Sequence, residues 1–483
     1  MRFSIIFKVL GLLLMLFSLT LTPPILVSLW YEDGGHFSFI LAFVITFATG
    51  LLTWYPVYEI KQDLRTRDGF LVTALFWIVL SLFGSMPFIF SSAMELSFTD
   101  AMFESLSGLT TTGATVLTGL DELPKSLLYY RQQLQWLGGI GIIVIAVAVL
   151  PMLGIGGMQL YRAETPGPVK DSKLTPRITE TAKALFLIYL SLTIACAVSY
   201  WLAGMSLFDA IGHAYSTVAI GGFSTHDTSM GYFGDNPAVL IVGMVFMVLS
   251  GINFALHFVS WREKSPIGYL KDPECRFYLA MIALGSSVTI FYLYHTNTYN
   301  LSHSFLQGSF ELISVLTTTG FGITDFSVWP SFLPFLLFMF SFMGGCAGST
   351  GGGIKMIRIM LFFKQGMREV HRLIYPNALF LVKLGHKTVA DRILEAVWGF
   401  LAVYMFVYIV LCIILLATGL DFTTAYTATG ACLNNLGPGL GAVAAHYGDI
   451  TNTAKWTLCF AMLLGRLEVF TLLVLFTPMF WRR

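Results

Sequence analysis

The fold of this chain is indicated by a short turn that occurs four times, in Leu109-Thr110-Thr111-Thr112-Gly113, Val218-Ala219-Ile220-Gly221-Gly222, Leu316-Thr317-Thr318-Thr319-Gly320 and Leu433-Asn434-Asn435-Leu436-Gly437. The four turns end apolar stretches at 98–112, 207–221, 305–319 and 422–436. Each stretch allows roughly 10–14 helical residues, too few to cross a bilayer. Glycine permits main-chain angles that other residues avoid. The pattern therefore predicts four re-entrant helices that each end in a glycine-centred turn.

Longer apolar stretches surround these turns. The chain has 483 residues, of which 56% are hydrophobic and 11% charged, and its mean hydropathy is +0.75. A soluble domain carries about 25% charged residues, so this chain cannot cover a water-facing surface. A helix of about 20 apolar residues crosses a bilayer. Ten stretches qualify as spans: 5–31, 37–57, 70–93, 133–158, 184–207, 237–258, 277–294, 331–354, 396–420 and 456–478.

The spans and the short stretches form an internal repeat. After the first two spans, the order span, short stretch, span occurs four times. Alignment on the four glycines also aligns Asp100 with Asp209 and Phe103-Glu104 with Phe310-Glu311. Each second span carries a glycine at a similar distance, at Gly138, Gly251, Gly344 and Gly465. The sequence predicts an all-α membrane protein with four pseudo-symmetric helix–pore helix–helix repeats around one central pore, preceded by two extra transmembrane helices.

The predicted boundaries follow from the repeat pattern. They are an N-terminal two-helix extension at 1–69, pore repeat 1 at 70–158, a cytoplasmic loop and pore repeat 2 at 159–258, pore repeat 3 with an intramembrane gate loop at 259–363, and a cytoplasmic loop and pore repeat 4 at 364–483.

Basic residues indicate the orientation, because cytoplasmic loops of membrane proteins are enriched in Lys and Arg. Most of the 28 basic residues fall on one side if the spans alternate, notably in the loops 159–183 and 355–392. Only Lys125, Arg131 and Lys455 fall on the opposite side. We expect both termini to be cytoplasmic. The opposite side is acidic and would concentrate cations at an entrance.

The four turns have the character of an ion filter. Non-helical backbone survives in a membrane only where protein covers it or where it lines a water-filled cavity. Four such strands around one axis make rings of carbonyl oxygens that replace the hydration shell of a cation. The helix dipole places partial negative charge at the end of each short helix, facing the ion. The expected ion ligands are Thr111, Thr112, Gly113, Ile220, Gly221, Gly222, Thr318, Thr319, Gly320, Asn435, Leu436 and Gly437.

A glycine-rich run lies inside the eighth span. Its expected gating residues are Gly344, Gly345, Gly348, Ser349, Thr350, Gly351, Gly352 and Gly353. Glycines at this density disfavour a helix, so we interpret the run as an unwound intramembrane loop under the filter that blocks or clears the pore. The alternative is close packing of small residues between helices. A phosphate-binding loop is disfavoured, because Lys355 follows Ile354 rather than glycine.

Arg466 is a basic residue in the middle of a span. A charge inside a membrane is a functional-site hypothesis by default, and we expect Arg466 to act with the gate near the pore axis. The alternative is an ion pair between two helices, although Glu468 would not share its helix face. For Glu104 and Glu311 we expect hydrogen bonds that brace the filter backbone, and for His213 a packing role rather than proton transfer.

Other function classes have little support in the sequence. The six cysteines form no Cys-x-x-Cys pair, so neither a disulfide framework nor a zinc site is indicated. The sequence shows no combination of Ser, His and Asp that would suggest a catalytic site, so an enzyme is not indicated. We also expect no organic cofactor on this chain. The net charge of +1 gives no field that would attract nucleic acid. We expect the chain to be surrounded by a lipid bilayer.

Several motifs together resemble the Trk/Ktr/HKT superfamily of potassium transporters, and most closely its bacterial TrkH/TrkG branch. The residues that carry the resemblance span essentially the whole chain: Thr110 to Thr115, Ala219 to His226, Gly344 to Gly353, Asn434 to Gly441 and Gly465 to Phe470.

The resemblance implies potassium uptake across the bacterial inner membrane through one pore per subunit, with potassium ions as the permeant ligand. It also implies a homodimer and a cytoplasmic RCK-type nucleotide-binding regulator, TrkA, that docks on the cytoplasmic loops. Glycine at all four filter positions goes with potassium preference in this superfamily, and this chain has four glycines.

Two other transport modes remain open from the sequence. One is an alternating-access symporter that couples potassium to protons or sodium; such carriers use broken helices in paired halves. The other is a non-selective, sodium-permeable relative. Four similar re-entrant units favour a pore over a carrier.

Overall fold

The computed structural model of the chain describes residues 3–60, 66–152, 178–385 and 387–482. These residues are mostly helical and contain almost no strand. One short antiparallel hairpin, β1 (Lys383–Leu384) and β2 (Lys387–Thr388), pairs Lys383 with Thr388 and Leu384 with Lys387. Most of the basic loop predicted at 159–183 lies outside the described residues, as does the end of the span predicted at 133–158.

A helical extension precedes the first repeat. It consists of α1 (Phe3–Leu19), α2 (Thr22–Tyr31) and α3 (His36–Trp54). Gly11 of α1 and Gly50 of α3 face each other, and a methyl group added to Gly11 would lie 2.7 Å from the carbonyl oxygen of Gly50. The absence of side chains at this crossing lets α1 and α3 pack closely.

Four successive groups of helices follow, named repeats 1 to 4 below. Repeat 1 contains α4 (Thr66–Gly84), α5 (Met86–Phe90), α6 (Phe98–Leu109) and α7 (Lys125–Met152). Repeat 2 contains α8 (Ile178–Leu202), α9 (Leu207–Ala219), α10 (Pro237–Ser250) and α11 (Phe254–Arg262), and α12 (Ile267–Lys271) leads to the next group.

Repeats 3 and 4 have the same order of elements. Repeat 3 contains α13 (Pro273–His295), α14 (Leu301–Thr317), α15 (Leu333–Phe340) and α16 (Met356–Ile374). Repeat 4 contains α17 (Asp391–Ala417), α18 (Phe422–Leu433), α19 (Asn452–Arg466), α20 (Phe470–Leu473) and α21 (Pro478–Trp481). Short 3-10 turns lie at Tyr55–Val57, Leu120–Glu122, Ser229–Phe233, Phe326–Val328, Gly441–Val443 and Val474–Phe476.

The four short helices α6, α9, α14 and α18, called the pore helices below, lie where the sequence predicts them. Each begins at a polar residue whose side chain accepts a hydrogen bond from a main-chain amide of the first turn: Ser97, Ser206, Asn300 and Asp421. Such N-caps satisfy donors that the helix itself leaves unpaired. The chain therefore marks the start of every pore helix with a local signal.

The predicted spans are confirmed in part. Within the described residues, six helices are long and apolar enough to cross a membrane, and eight if each bent pair counts as one span. The chain is a multi-pass membrane protein. The stretches predicted as continuous spans at 237–258 and 456–478 are instead bent, by 94° between α10 and α11 and by 108° between α19 and the α20 segment. The eighth predicted span, 331–354, is helical only to Phe340.

The breaks lie near the aligned glycines. In repeat 1 the break is at Gly141, whose φ of 60° is not helical. In repeats 2 and 4 it lies within one residue of Gly251 and Gly465, which align with Gly138, whereas in repeat 3 the helix already ends four residues before the aligned Gly344. An added Cβ at Gly138 would collide with the carbonyl oxygen of Leu109, and one at Gly465 with that of Leu433. In repeats 1 and 4 the second helix thus carries glycine where it crosses the end of a pore helix.

Candidate functional site

The four glycine-centred turns share one main-chain conformation. Left-handed φ angles of 80°, 80°, 82° and 96° occur at Gly113, Gly222, Gly320 and Gly437. Two residues earlier the chain is again left-handed, with φ of 55°, 55°, 67° and 54° at Thr111, Ile220, Thr318 and Asn435. Positive φ is a genuine outlier for branched residues such as Thr and Ile. Its recurrence in four turns with three different sequences identifies a conformation that the surrounding structure imposes.

Each of these outliers ends a pore helix. The amide of Thr112 donates to the carbonyl of Ser107 at 2.9 Å, and the amide of Thr111 donates to that of Gly108 at 3.0 Å. This pair of bonds is the Schellman motif, in which the residue after the helix is left-handed and usually glycine. The same two bonds occur in repeats 2, 3 and 4. The motif stops each helix and releases the following residues as extended chain.

The four extended strands form a closed ring. An added Cβ at Gly113 would collide with the carbonyl oxygen of Gly221 in the next strand. An added Cβ at Gly222 would likewise collide with the carbonyl oxygen of Thr319, and one at Gly320 with that of Leu436. A Cβ at Gly437 would lie 2.7 Å from the carbonyl oxygen of Thr112. Contact therefore runs from repeat 1 through repeats 2 and 3 to repeat 4 and back. All twelve residues predicted from the turns belong to this ring.

Side chains fasten the strands to one another. The Asn435 amide nitrogen of strand 4 donates to the Thr112 hydroxyl of strand 1 at 2.9 Å. Gln135 of α7 donates to the carbonyl oxygen of Gly221 at 2.6 Å and accepts from the amide of Phe223 at 3.0 Å. The Gly221 carbonyl is therefore held against a side chain of repeat 1 as well as beside Gly113.

The glycine-rich run Gly344–Gly353, called the gate loop below, lies against one end of the ring. The Thr350 hydroxyl donates to the carbonyl oxygen of Val218 at 2.9 Å, and the Gly352 amide donates to the Thr318 hydroxyl at 2.8 Å. The Gly353 amide donates to the carbonyl oxygen of Asn434 at 3.0 Å. The loop is not helical, as the sequence predicts, and it contacts strands or pore helices of repeats 2, 3 and 4.

Arg466, at the end of α19 in repeat 4, contacts the remaining repeat, repeat 1. Its guanidinium donates to the Thr111 hydroxyl at 3.3 Å and to the carbonyl oxygens of Gly138 and Gly139 beside the bend in α7. It also lies over the ring of Trp77 at 5.3 Å. Together with the gate loop, Arg466 surrounds one end of the ring on all four sides.

Glu468 forms an ion pair between two parts of the chain. Its carboxylate binds Arg358 of α16, two residues beyond Met356. Arg358 in turn lies 4.2 Å from the ring of Phe400. Glu468 therefore links the helix after the gate loop to the bend in repeat 4.

The opposite end of the ring, called the mouth below, is the end that faces the N-termini of the pore helices. His226, four residues after Gly222, contacts Asp121 at 2.5 Å and lies 3.6 Å from Asp209. Its ring stacks on that of Tyr232 at 3.5 Å. Burial by itself lowers the pKa of His226, but the nearby carboxylate of Asp209 and the hydrogen bond to Asp121 raise that pKa above its ordinary value.

Acidic residues of the pore helices brace the chain beyond the glycines, as the sequence predicts. One carboxylate oxygen of Glu104 accepts from the amide of Val116 at 3.0 Å. One oxygen of Glu311 accepts from the amides of Ile323 and Thr324 at 2.7 and 3.1 Å. His213 is fully buried between the carbonyl oxygen of Asp209 and the Ser224 hydroxyl, which agrees with its expected packing role.

The roles of three residues near the site could not be predicted from the sequence. Arg131 and Gln135 stand on one face of α7, and only the unexpected position of Arg131 among the acidic side's residues signals a role. Glu274 stands at the start of α13, where its buried carboxylate accepts from the amides of Ala347 and Ile357 at 2.7 and 3.1 Å. It therefore holds both sides of the gate loop, a link that no spacing in the sequence reveals.

A ring of four half-helix ends inside a multi-pass helical protein is an arrangement suited to moving ions rather than to chemical catalysis. Main-chain oxygens at such helix ends can replace the hydration shell of an ion. The fold and the site thus define a membrane transport protein.

Residues 35–483 match the family model for TrkH, described as a cation transport protein, and the chain belongs to this family. It is therefore a transporter and not an enzyme. The chain is 56% identical over 483 residues to the Trk system potassium uptake protein TrkH of Halomonas elongata and 54% identical over 485 residues to that of Vibrio parahaemolyticus, with 100% of each chain covered. The crystal structure of the potassium transporter TrkH from Vibrio parahaemolyticus superposes with a TM-score of 0.91 at 51% identity and full coverage of both chains.

Proposed function

We propose that this protein takes up potassium through a selective pore whose filter is the closed ring around Gly113, Gly222, Gly320 and Gly437. The observation that carries the proposal is the ring itself, in which four identical left-handed turns meet. Rings of carbonyl oxygens suit a dehydrated alkali cation because they supply several weak contacts without formal charge. The names of the relatives, potassium uptake proteins, support potassium as the ion.

Two structural features require glycine at the four ring positions. Their φ angles lie in the left-handed region, and the neighbouring strand's carbonyl oxygen occupies the space of a side chain. Any other residue at Gly113 strains its own turn and pushes the strand of repeat 2 away. The spacing between strands, and with it the preference for potassium over sodium, therefore depends on these positions.

We assign the gate loop and Arg466 to control of the pore. The loop lies under repeats 2, 3 and 4, and Arg466 lies under repeat 1. A positive charge and a plug of main chain at one end of a cation pathway both oppose ion flow. Opening then requires the loop to leave Val218, Thr318 and Asn434.

The regulator docks on the loop side of the molecule in our proposal. The helix α16 follows the gate loop directly, exposes Phe363, Met367 and Val370, and carries the basic residues Lys364 and Arg372. A partner that pulls on α16 would act on the loop through only two intervening residues, Ile354 and Lys355. The relatives' names, which refer to a Trk system, support a partner such as the nucleotide-binding TrkA.

The remaining proposals concern assembly and placement. The protein is a homodimer in the bacterial inner membrane, with both termini and α16 on the cytoplasmic side and the mouth outside. The placement of Lys and Arg supports this orientation. The division of the chain at residues 69, 158, 258 and 363 is proposed on the same repeat pattern.

One observation favours the alternative of an alternating-access symporter coupled to protons or sodium. The second helices of repeats 2 and 4 are both broken, by 94° and 108°, and paired broken helices are typical of carriers. The pore remains the better-supported function, since the strands of all four repeats meet in one ring.

Ion flux from reconstituted protein tests the proposal. The fluxes of potassium, rubidium, sodium and lithium into liposomes that contain the purified protein are compared. Single-channel currents are recorded in planar bilayers. A pore gives unitary current steps and a reversal potential that follows the potassium gradient. Flux without unitary steps that follows a proton or sodium gradient supports the carrier, and equal permeability to sodium and potassium contradicts a selective filter.

A further inference from the structure

The position nine residues before each ring glycine holds Glu104, His213, Glu311 and Ala428 in repeats 1 to 4. The first three each bind the chain just beyond the glycine of their own repeat. In repeat 4 the neighbouring Thr427 takes over, because its hydroxyl accepts from the amide of Leu440 at 2.8 Å. One structural task, fixing the mouth half of each strand to its own pore helix, is thus met by three kinds of group: two carboxylates, an imidazole and a hydroxyl.

Repeat 1 differs from the others because its bracing group is half of a buried ion pair. Arg131 donates from Nε to the Glu104 carboxylate at 2.7 Å, and the two side chains are 1% and 0% exposed. A second guanidinium nitrogen, Nη2, donates to the Thr115 hydroxyl at 3.0 Å. That hydroxyl donates to the Glu104 carboxylate at 3.0 Å. Arg131, Glu104 and Thr115 therefore form a closed set of hydrogen bonds around strand 1.

The same guanidinium reaches a second strand. Its third nitrogen, Nη1, donates to the carbonyl oxygen of Ser224 at 3.1 Å, two residues beyond Gly222. Its carbon atom lies 4.3 Å from the ring centre of Phe223. Ser224 is also held by His213, the bracing residue of repeat 2. Arg131 is thus a direct link between the bracing systems of strands 1 and 2.

Repeat 3 shows that the bracing task does not itself need a cation. Glu311 makes equivalent bonds to the chain after Gly320, yet no Lys, Arg or His of the described residues lies within ion-pair distance of it. The residue of repeat 3 that aligns with Arg131 on the second-helix glycines is Leu337, which is fully buried. The cation in repeat 1 therefore serves the link to strand 2 rather than the bracing of strand 1.

We propose that Arg131, clamped by Glu104, is a positioning residue for ion selectivity that sets the separation of strands 1 and 2 at the mouth of the ring. This inference rests on the proposed function, because it assigns Arg131 a role in the same filter. A guanidinium is a planar fork with donors in fixed directions, so it can hold Glu104, Thr115 and Ser224 at one geometry. A buried ion pair adds little stability compared with apolar residues of similar volume, and a role in fixing geometry accounts for its presence.

Two variants test the inference. Arg131→Met combined with Glu104→Gln removes both charges, so no unpaired charge is left buried, and the link to Ser224 is lost. Arg131→Lys keeps the ion pair, but a single ammonium group cannot span Glu104, Thr115 and Ser224 together. The readout is the ratio of potassium to sodium permeability from reversal potentials in proteoliposomes or bilayers, a quantity that a loss of folded protein alone does not change.

We expect the permeability ratio to fall at least tenfold in the double variant and at least threefold in Arg131→Lys. A fall of less than threefold in either variant overturns the proposal. If the double variant is not recovered as a monodisperse protein, the proposal is judged on Arg131→Lys alone, with the same threefold limit on the permeability ratio. The control Lys125→Gln removes a partly exposed positive charge from the same helix and should leave the ratio unchanged; an equal fall there shows a general charge effect and overturns the positioning role.

The unaltered protein is measured first. If it does not prefer potassium to sodium, the proposed function itself fails. If it prefers potassium and the variants keep that preference, only the role of Arg131 fails.

Discussion

The Glu274 carboxylate attaches the gate loop to a membrane-spanning helix. A single oxygen, Oε1, accepts from the amide of Ala347 within the loop and from the amide of Ile357 just after it, at 2.7 and 3.1 Å. Glu274 itself is 7% exposed at the start of α13. Replacement by alanine removes the acceptor on which both sides of the loop converge, while the glycines and Arg466 stay in place.

The magnitude follows from the two amides that lose their acceptor. A buried donor without a partner costs about 1–3 kcal/mol, so Glu274→Ala raises the free energy of the observed loop position by about 2–6 kcal/mol. A displaced loop lets water reach both amides and does not carry this cost. The lower limit of about 2 kcal/mol already shifts the balance between the two positions by roughly 30-fold. We therefore expect basal ion flux without any partner to rise by at least tenfold.

The assay is the initial rate of rubidium uptake into potassium-loaded liposomes that contain the purified chain alone. Glu274→Gln is the matched control, because its amide oxygen can still accept from both amides, and its rate should stay within about threefold of the parent. Gel filtration checks that both variants remain folded. The reasoning is refuted if Glu274→Ala is no faster than the parent, or if Glu274→Gln is accelerated equally, since the hydrogen bonds then do not hold the gate.

Three further changes give separate tests. Gly113→Ser places a side chain against the Gly221 carbonyl and should lower the potassium-to-sodium permeability ratio by about tenfold, equivalent to about 1.4 kcal/mol; an unchanged reversal potential contradicts this. Arg466→Gln retains a donor for the Gly138 carbonyl but removes the charge, so potassium flux should rise roughly three- to tenfold, and an unaltered rate and ion preference would show that the charge is no barrier. The raised pKa of His226 means that its imidazolium stabilises the mouth below about pH 6.5 and that this contribution is lost as the pH rises through the raised value. The melting temperature of the parent should therefore exceed that of His226→Asn by most at about pH 6 and converge at alkaline pH, and a constant difference across this range argues against the charged form.

The sequence predicts the architecture well because its signals are local and repeated. Apolar length separates spans from pore helices, and the N-cap residues Ser97, Ser206, Asn300 and Asp421 mark where the pore helices begin. The position of each ring glycine in the sequence is enough to align the repeats. These features depend on composition and spacing within about 20 residues, which a single sequence displays.

The bends were harder to predict for a physical reason. The stretches 237–258 and 456–478 are as apolar as continuous spans, so hydropathy does not distinguish them. The breaks arise where Gly251 and Gly465 cross other elements: an added Cβ on Gly251 would collide with the hydroxyl of Tyr278, and one on Gly465 with the carbonyl oxygen of Leu433. Tertiary contact, rather than local propensity, decides the break.

The side-chain links across the ring were also invisible in the sequence. Asn435 and Thr112 are 323 residues apart, and Arg131 and Ser224 are 93 apart. The left-handed conformation of Ile220 is contrary to the preference of a branched residue. Such features become apparent only when four segments of the chain are brought to one place.

Because one chain supplies all four walls of the ring, each wall has its own codons. In an assembly of four identical subunits a single codon change alters the pathway on every side at once. Here a replacement in Asn434–Gly437 changes the sequence of one wall only, so the walls can diverge in sequence one at a time while their shared main-chain shape is kept.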